Sequence, residues 1–184
     1  MYSNTEGWCV WITGLPGSGK STIANRLIEK LGKNKKVQLL TIDSLRKVVT
    51  PKPSYTISER EIVYGILVFI AQLLTKNGVN VIIDATGNLR KFRDKARVDI
   101  KKFMEVYVKC PLEVCIERES RRDETFGAPR NIYRKALSGE SLTVPGLGAS
   151  YEEPLNPELI VESNKLSPEE CAEIILKAIF ERFD

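Results

Sequence analysis

The 184-residue chain contains no histidine. That absence removes every histidine-based catalytic triad, a histidine general base and most catalytic zinc sites. Any acid–base chemistry therefore falls to carboxylates, lysine or tyrosine. Cysteine is scarce. Cys9, Cys110, Cys115 and Cys171 show no C-x-x-C spacing and sit in apolar segments, so reduced, buried thiols are expected rather than a metal site or disulfides. No run approaches the ~20 apolar residues of a membrane span. The opening "MYSNTEGWCVWITG" has neither a basic start nor a long apolar core, so no signal peptide is read, and a cytoplasmic location with no membrane partner is expected. Excess charge of one sign is missing too: 28 Lys and Arg against 24 Asp and Glu leave a formal +4. No basic block interleaves with aromatics and no helix-turn-helix pattern occurs, so a nucleic-acid partner is not expected. The mild positive charge favours small anionic ligands instead. Internal repeats and low-complexity tracts are absent.

What is present is ordinary globular composition, 42% apolar and 28% charged. The length suits a single domain over residues 1–184. Apolar runs of strand length alternate with longer amphipathic stretches. Strands are expected at "CVWITG", "KVQLLTID", "VNVIIDATG", "MEVYVKC" and "PELIVES". Helices are expected at "STIANRLIEKLG", closed by Gly32; at "ISEREIVYGILVFIAQLLTKNG", capped by Ser58 and closed by Gly78; and at "RKFRDKARVDIKKF". Two more follow: "PLEVCIERE", with Pro111 in its first turn, and "SPEECAEIILKAIFERF", with Ser167 as cap and Pro168 after it. This alternation predicts an α/β fold with a mostly parallel, five-stranded sheet flanked by helices. The strands lack polar alternation, as expected when both sheet faces are covered. A polar, Gly- and Pro-containing segment at about 118–157 interrupts the rhythm and reads as a lid.

The stretch "GLPGSGKS", residues 14–21, fits G-x-x-x-x-G-K-[ST] between a strand and a helix. Glycines let the backbone turn its N–H groups toward phosphate oxygens, and the following helix points its positive end at the same place. The pattern predicts a P-loop NTPase fold with ATP on Gly14, Leu15, Pro16, Gly17, Ser18, Gly19, Lys20, Ser21 and Thr22. Lys20 is placed to reach the outer phosphates, and Ser21 to ligate Mg²⁺. Asp84 ends an apolar strand, where it would bring a carboxylate near the metal, its alternative role being to cap the following turn. Asp43 ends "VQLLTID" at the expected carboxyl edge of the sheet. With no histidine available it is the candidate base for an acceptor hydroxyl, its alternative role being the cap of "SLRKVV". No NKxD motif of GTPases occurs. The small size and a lid holding Arg118, Arg121, Arg122 and Arg130 favour a small-molecule kinase, with one or two of those arginines on the phosphates.

The second half resembles the adenylyl-sulfate kinase (APS kinase) family. The resemblance is carried by "VYVKCPLEVCIERE", "IYRKALSGE" and "YEEPLNPELIVESNKLSPEECAEIIL", in which Tyr151, Glu152, Pro154, Asn156 and Pro157 match the family's Y-E-x-P-x-N-P. The cradle "WITGLPGSGKSTIA" is similar to the family's "WLTGLSGSGKSTIA". The resemblance implies phosphorylation of the 3′-hydroxyl of adenosine 5′-phosphosulfate, small nucleotide substrates, ATP with Mg²⁺ and a possible homodimer. The family's D-G-D-N-[VI]-R falls on "TIDSLR", with its second Asp at Asp43 and its Arg at Arg46. Its G-F-x-x-x-D-R falls on "SYTISER", so Arg60 matches and Tyr55 replaces the stacking Phe; the Asn that follows in the family is here Val63. By resemblance, Arg46 and Arg60 hold the phosphosulfate and Tyr55 faces the adenine. The family's "FISPYR" is here "DATGNLR", which keeps Arg90 as an acceptor-side candidate. Its "FTGID" is here "VPGLG", so Val144 replaces the second stacking Phe. "DATGNLR" is also similar to P-loop kinases acting on sugars or nucleic-acid ends, which leaves another acceptor alcohol open. A nucleotide-binding module without catalysis is the third reading, and Lys20, Ser21, Asp43 and Asp84 argue against it. The apolar stripe "ILVFIAQLL" suits either a subunit interface or the core.

Overall fold

A computed structural model describes residues 6–32, 35–122 and 127–183. The opening residues 1–5 used in the signal-peptide reading, and residues 123–126 of the lid, lie outside the described residues. Five strands form one sheet in the order β2-β3-β1-β4-β5: β1 Cys9–Thr13, β2 Val37–Thr41, β3 Asn80–Asp84, β4 Phe103–Lys109 and β5 Leu159–Glu162. Every pairing is parallel. The helices are α1 Lys20–Leu31, α2 Ile42–Val49, α3 Ile57–Lys76, α4 Arg90–Asp99, α5 Leu112–Arg121, α6 Ile132–Leu137 and α7 Pro168–Phe183.

Alternate side chains of a strand point to opposite faces, and β1 divides its residues accordingly. Val10 and Ile12 pack with Ile23, Leu27, Ile175 and Ile179 of α1 and α7. Cys9 and Trp11 pack with Tyr64, Leu67 and Phe92 of α3 and α4. Both faces are apolar, which explains the unbroken hydrophobic strings. The four cysteines are free and buried. Glu105 in the interior of β4 is charged yet buried, because Arg93 reaches it at 2.6 Å and Arg97 at 3.2 Å. No helix among the described residues is long and apolar enough to cross a membrane.

Several boundaries differ from expectation for local reasons. β2 stops at Thr41, whose Oγ1 accepts the Ser44 N–H, so α2 starts at once and Asp43 falls in its first turn, neither ending a strand nor capping the helix. Thr56 rather than Ser58 caps α3, accepting the Glu59 N–H. The charged helix α4 ends at Asp99, and Phe103 instead opens β4, where it packs beneath Arg97. Pro111 is the cap residue of α5 and lies just before its first turn. Ser167 does cap α7, in a reciprocal capping box with Glu170. The short helix α6 inside the lid has no counterpart in the expected elements.

Strand order reverses beside β1, and the carboxyl ends of β1 and β3 open onto one crevice. This is where open α/β sheets bind ligands.

Candidate active site

The loop after β1 turns with Gly17 at φ 80° and Gly19 at φ 97°. A Cβ at Gly17 would stand 2.4 Å from the Cys115 carbonyl oxygen, so only glycine fits there. Gly19 caps α1 without a side-chain hydrogen bond, and α1 has no acidic residue in its first turn. Its leading N–H groups and dipole therefore face the crevice uncompensated, which suits an anion. Lys20 is buried and donates from Nζ to the Leu15 carbonyl, 2.9 Å away across the loop. Burial lowers its pKa, while nearby Asp84, Cys115 and Asp43 oppose the shift.

Asp84 ends β3, buried, and shares the cavity wall with Ser21, whose hydroxyl lowers its pKa. Burial raises its pKa; Lys20 and Ser21 pull it down. This hydroxyl and carboxylate are the hard oxygen donors that Mg²⁺ takes. Among the described residues no cluster of three or more His, Cys, Asp or Glu could hold an ion alone. The pair therefore fits an ion that completes its shell with phosphates and water. Asp43 also has a raised pKa, from burial first and then from Asp84, with Lys20, Arg46 and Arg122 opposing. A carboxylate so placed holds a proton more readily than an ordinary aspartate does.

A cavity of about 460 Å³ joins these groups. Of the sequence-predicted residues, Pro16, Gly17, Gly19, Lys20, Ser21, Thr22, Asp43, Arg46, Tyr55, Arg60, Asp84 and Val144 line it. Gly14, Leu15 and Ser18 lie behind the loop rather than on the cavity wall: Ser18 is fully buried, and Leu15 backs against Gly146 of the lid. Arg90 is not on the cavity wall. It opens α4, donates its backbone N–H to Glu152 Oε2 at 2.8 Å and its Nη1 to the Glu153 carbonyl at 3.2 Å, and braces "YEEP" outside the cavity. Of the lid arginines, Arg118 and Arg122 line the cavity, whereas Arg121 is exposed and paired with Glu117 at 2.9 Å.

Glu59 was not singled out in the sequence. Glu59 receives the Ser54 N–H and hydroxyl, the Tyr55 N–H and Arg46 Nη1. Burial would raise its pKa, but these donors outweigh it and hold the carboxyl at about 2. Glu59 thereby fixes Arg46, which also lies 4.8 Å from the Tyr55 ring. Its sequence signal is the T-x-x-E capping box around α3. Arg122 is held by buried Glu119 and the Pro129 carbonyl, and its Nε is buried without a partner. A second cavity of about 320 Å³ shares Gly19, Thr22 and Arg118 with the first and runs to Ser163, Leu166 and Pro168. Arg118 is pinned there by Ser163, through its hydroxyl at 3.3 Å and its carbonyl at 2.8 Å.

Known proteins carry the same arrangement of sequence and fold. The family model described as adenylylsulphate kinase matches residues 6–162. A Pyrococcus abyssi protein named "probable adenylyl-sulfate kinase" is 39% identical over 173 residues, 94% of this chain and 94% of that protein. One of the same name from Archaeoglobus fulgidus is 39% identical over 157 residues, 85% of this chain and 96% of that one. Among solved structures, the Mycobacterium tuberculosis APS kinase in complex with AMPPNP and APS superposes with a TM-score of 0.84 at 30% identity, covering 95% of this chain and 98% of that one. The chain belongs to the adenylylsulphate kinase family.

Proposed function

We propose that this chain is an ATP-dependent kinase that transfers the γ-phosphoryl group to the 3′-hydroxyl of adenosine 5′-phosphosulfate (APS), giving 3′-phosphoadenylyl sulfate. The observation that carries the reading is a convergence on one cavity: Lys20, Ser21 and Asp84 reach it from the cradle, and Asp43, Arg46 and Tyr55 from the acceptor side.

The ATP phosphates lie on residues 14–22. Ser21 and Asp84 would hold Mg²⁺, which would neutralise charge on the phosphates. The desolvated Lys20 ammonium sets its charge against the outer phosphates, where a low dielectric strengthens it. Asp43 accepts the proton of the 3′-hydroxyl as that oxygen bonds to the γ-phosphorus. The bond to the β–γ bridging oxygen breaks and ADP leaves. Arg46 keeps N–H groups beyond its pair with Glu59 for the phosphosulfate. Arg122, on the cavity wall, acts on the transferring phosphoryl group. The smaller cavity takes the ATP base, where Ile23, Leu166 and Pro168 are apolar and Arg118 offers a flat cation. The domain comprises residues 1–184, with its lid at about 118–157.

A cytoplasmic location and a homodimer belong to the same proposal. Four free, buried cysteines support the first. Ile62, Phe69 and Leu73, exposed along one stripe of α3, support the second.

The test is an acceptor panel: initial rates with ATP and Mg²⁺ on APS, sugars, an amino-acid alcohol, nucleosides and a 5′-hydroxyl oligonucleotide. Selective turnover of APS is expected. Preference for any other alcohol would reject APS and favour the reading drawn from "DATGNLR".

A further inference from the structure

Arg60 lines the acceptor side, but all three of its guanidinium nitrogens donate to protein. Nε donates to the Tyr55 carbonyl at 3.1 Å, Nη2 to the Thr143 carbonyl at 2.7 Å and Nη1 to Asn88 Oδ1 at 3.1 Å. Asn88, 4% exposed, passes the connection on. Its Nδ2 donates to the Ser150 carbonyl at 3.0 Å, and its own carbonyl accepts the Glu152 N–H at 2.7 Å. Asn88 stands two residues before α4, yet that helix has no side-chain cap, so its carboxamide serves no local purpose.

These contacts bracket one loop. Thr143 sits on Arg60 and Ser150 on Asn88. Between them the chain closes on itself, with the Val144 carbonyl accepting the N–H groups of Leu147, Gly148 and Ala149. Val144 is buried on the cavity wall. Tyr55, at φ 55° a strained position for a non-glycine residue, hangs from the same guanidinium. One buried Arg–Asn pair therefore holds both residues that replace the family's stacking aromatics.

We infer that Asn88, acting through Arg60, is a positioning residue that sets the gap between Tyr55 and Val144 and so fixes which flat group the acceptor pocket admits. This deepens the APS reading and rests on it. An aliphatic wall cannot stack on a base as an aromatic ring does, so selectivity here depends on rigid spacing. The pair supplies that spacing through hydrogen bonds to a charged group, which are stronger than neutral ones.

The test compares Asn88→Ala and Asn88→Asp with the unsubstituted protein. Asn88→Asp keeps an acceptor for Arg60 but sets a carboxylate oxygen against the Ser150 carbonyl, so it releases the loop alone and serves if Asn88→Ala does not fold. The KM for APS should rise about 10–100-fold in Asn88→Ala and about tenfold in Asn88→Asp, with the KM for ATP within about threefold. Equal shifts in both KM values, or none, would overturn the proposal by reducing Asn88 to a structural residue. Amide exchange at Gly148 and Ala149 in ligand-free protein reads the anchor without any acceptor. Acceleration of about tenfold or more in the variants supports it, and unchanged exchange overturns it. If the unsubstituted protein ignores APS, the functional reading fails, while exchange still decides whether the pair anchors the loop.

Discussion

The phosphate cradle and the acceptor pocket share one cavity but are held by different kinds of interaction. The cradle is nearly all backbone: Gly17 against the Cys115 carbonyl, Gly19 opening α1, and Lys20 closed onto Leu15. The residues that face the phosphates, 14–22, are contiguous in the chain. The acceptor pocket is built from side chains of four separate segments. Glu59 holds Arg46 and Tyr55, while Arg60 ties the residues before α3 to the loop after β3 and to the lid. A cradle of this kind fits any nucleoside triphosphate phosphate chain. A pocket of the second kind can be retuned by one side chain, which is how a family retains ATP chemistry while its acceptor walls change.

Breaking each region at its centre should separate them. The largest effect is expected from Asp43→Ala, which should lower kcat about 10²–10⁴-fold, the usual worth of a general base, and leave ATP affinity unchanged in a binding titration. The pH profile sharpens this. In the proposed mechanism Asp43 works deprotonated, so the rate should rise through a pKa above the ordinary 3.8. Lys20 works protonated, so the rate should fall through a pKa below 10.5. An acid limb at or below the ordinary aspartate value would contradict the assignment.

Gly17→Ala should do the reverse, weakening ATP binding by tenfold or more. Its Cβ would meet backbone at 2.4 Å with φ at 80°, so the loop must shift. Isothermal titration with a non-hydrolysable ATP analogue checks it.

The two regions were unequally legible in the sequence, for physical reasons. The cradle is contiguous, and glycine, lysine and serine at fixed spacing have few other uses. The central strands β1, β3 and β4 were legible because both faces are buried, so each reads as an apolar run. What could not be read was anything depending on partners distant in the chain. Arg60 lines the cavity as expected, but its partners Asn88 and Thr143, 28 and 83 residues away, carry no local signal in "SER". Arg90 matches a family motif, yet α4 starts at that residue and turns it toward Glu152. The cap of α3 moved from Ser58 to Thr56 because Thr56 has the extended backbone a cap requires and Ser58 is already helical.

Glu59→Gln probes the side-chain scaffold directly and should raise the KM for APS by about tenfold, the worth of weakening a charge-assisted hydrogen bond. It should also change acid stability. The folded carboxyl titrates at about 2 against an ordinary 4.5. Glu59 therefore stabilises the fold above about 4.5, and that share is lost as pH falls toward 2. Urea midpoints at pH 6 and pH 3 should differ less in Glu59→Gln than in the unsubstituted protein. The smallest effect is expected from Arg90→Ala. It lies outside the cavity, so the KM for APS should move less than about threefold, in keeping with an exposed ion pair.

The most direct measurement is to locate the new phosphate on the product of a single reaction of the protein with ATP, Mg²⁺ and APS, by phosphorus NMR and mass spectrometry. The account predicts phosphate on the 3′-oxygen of APS, formed at roughly 1–100 per second. Unmodified APS from a protein that still binds ATP would contradict it.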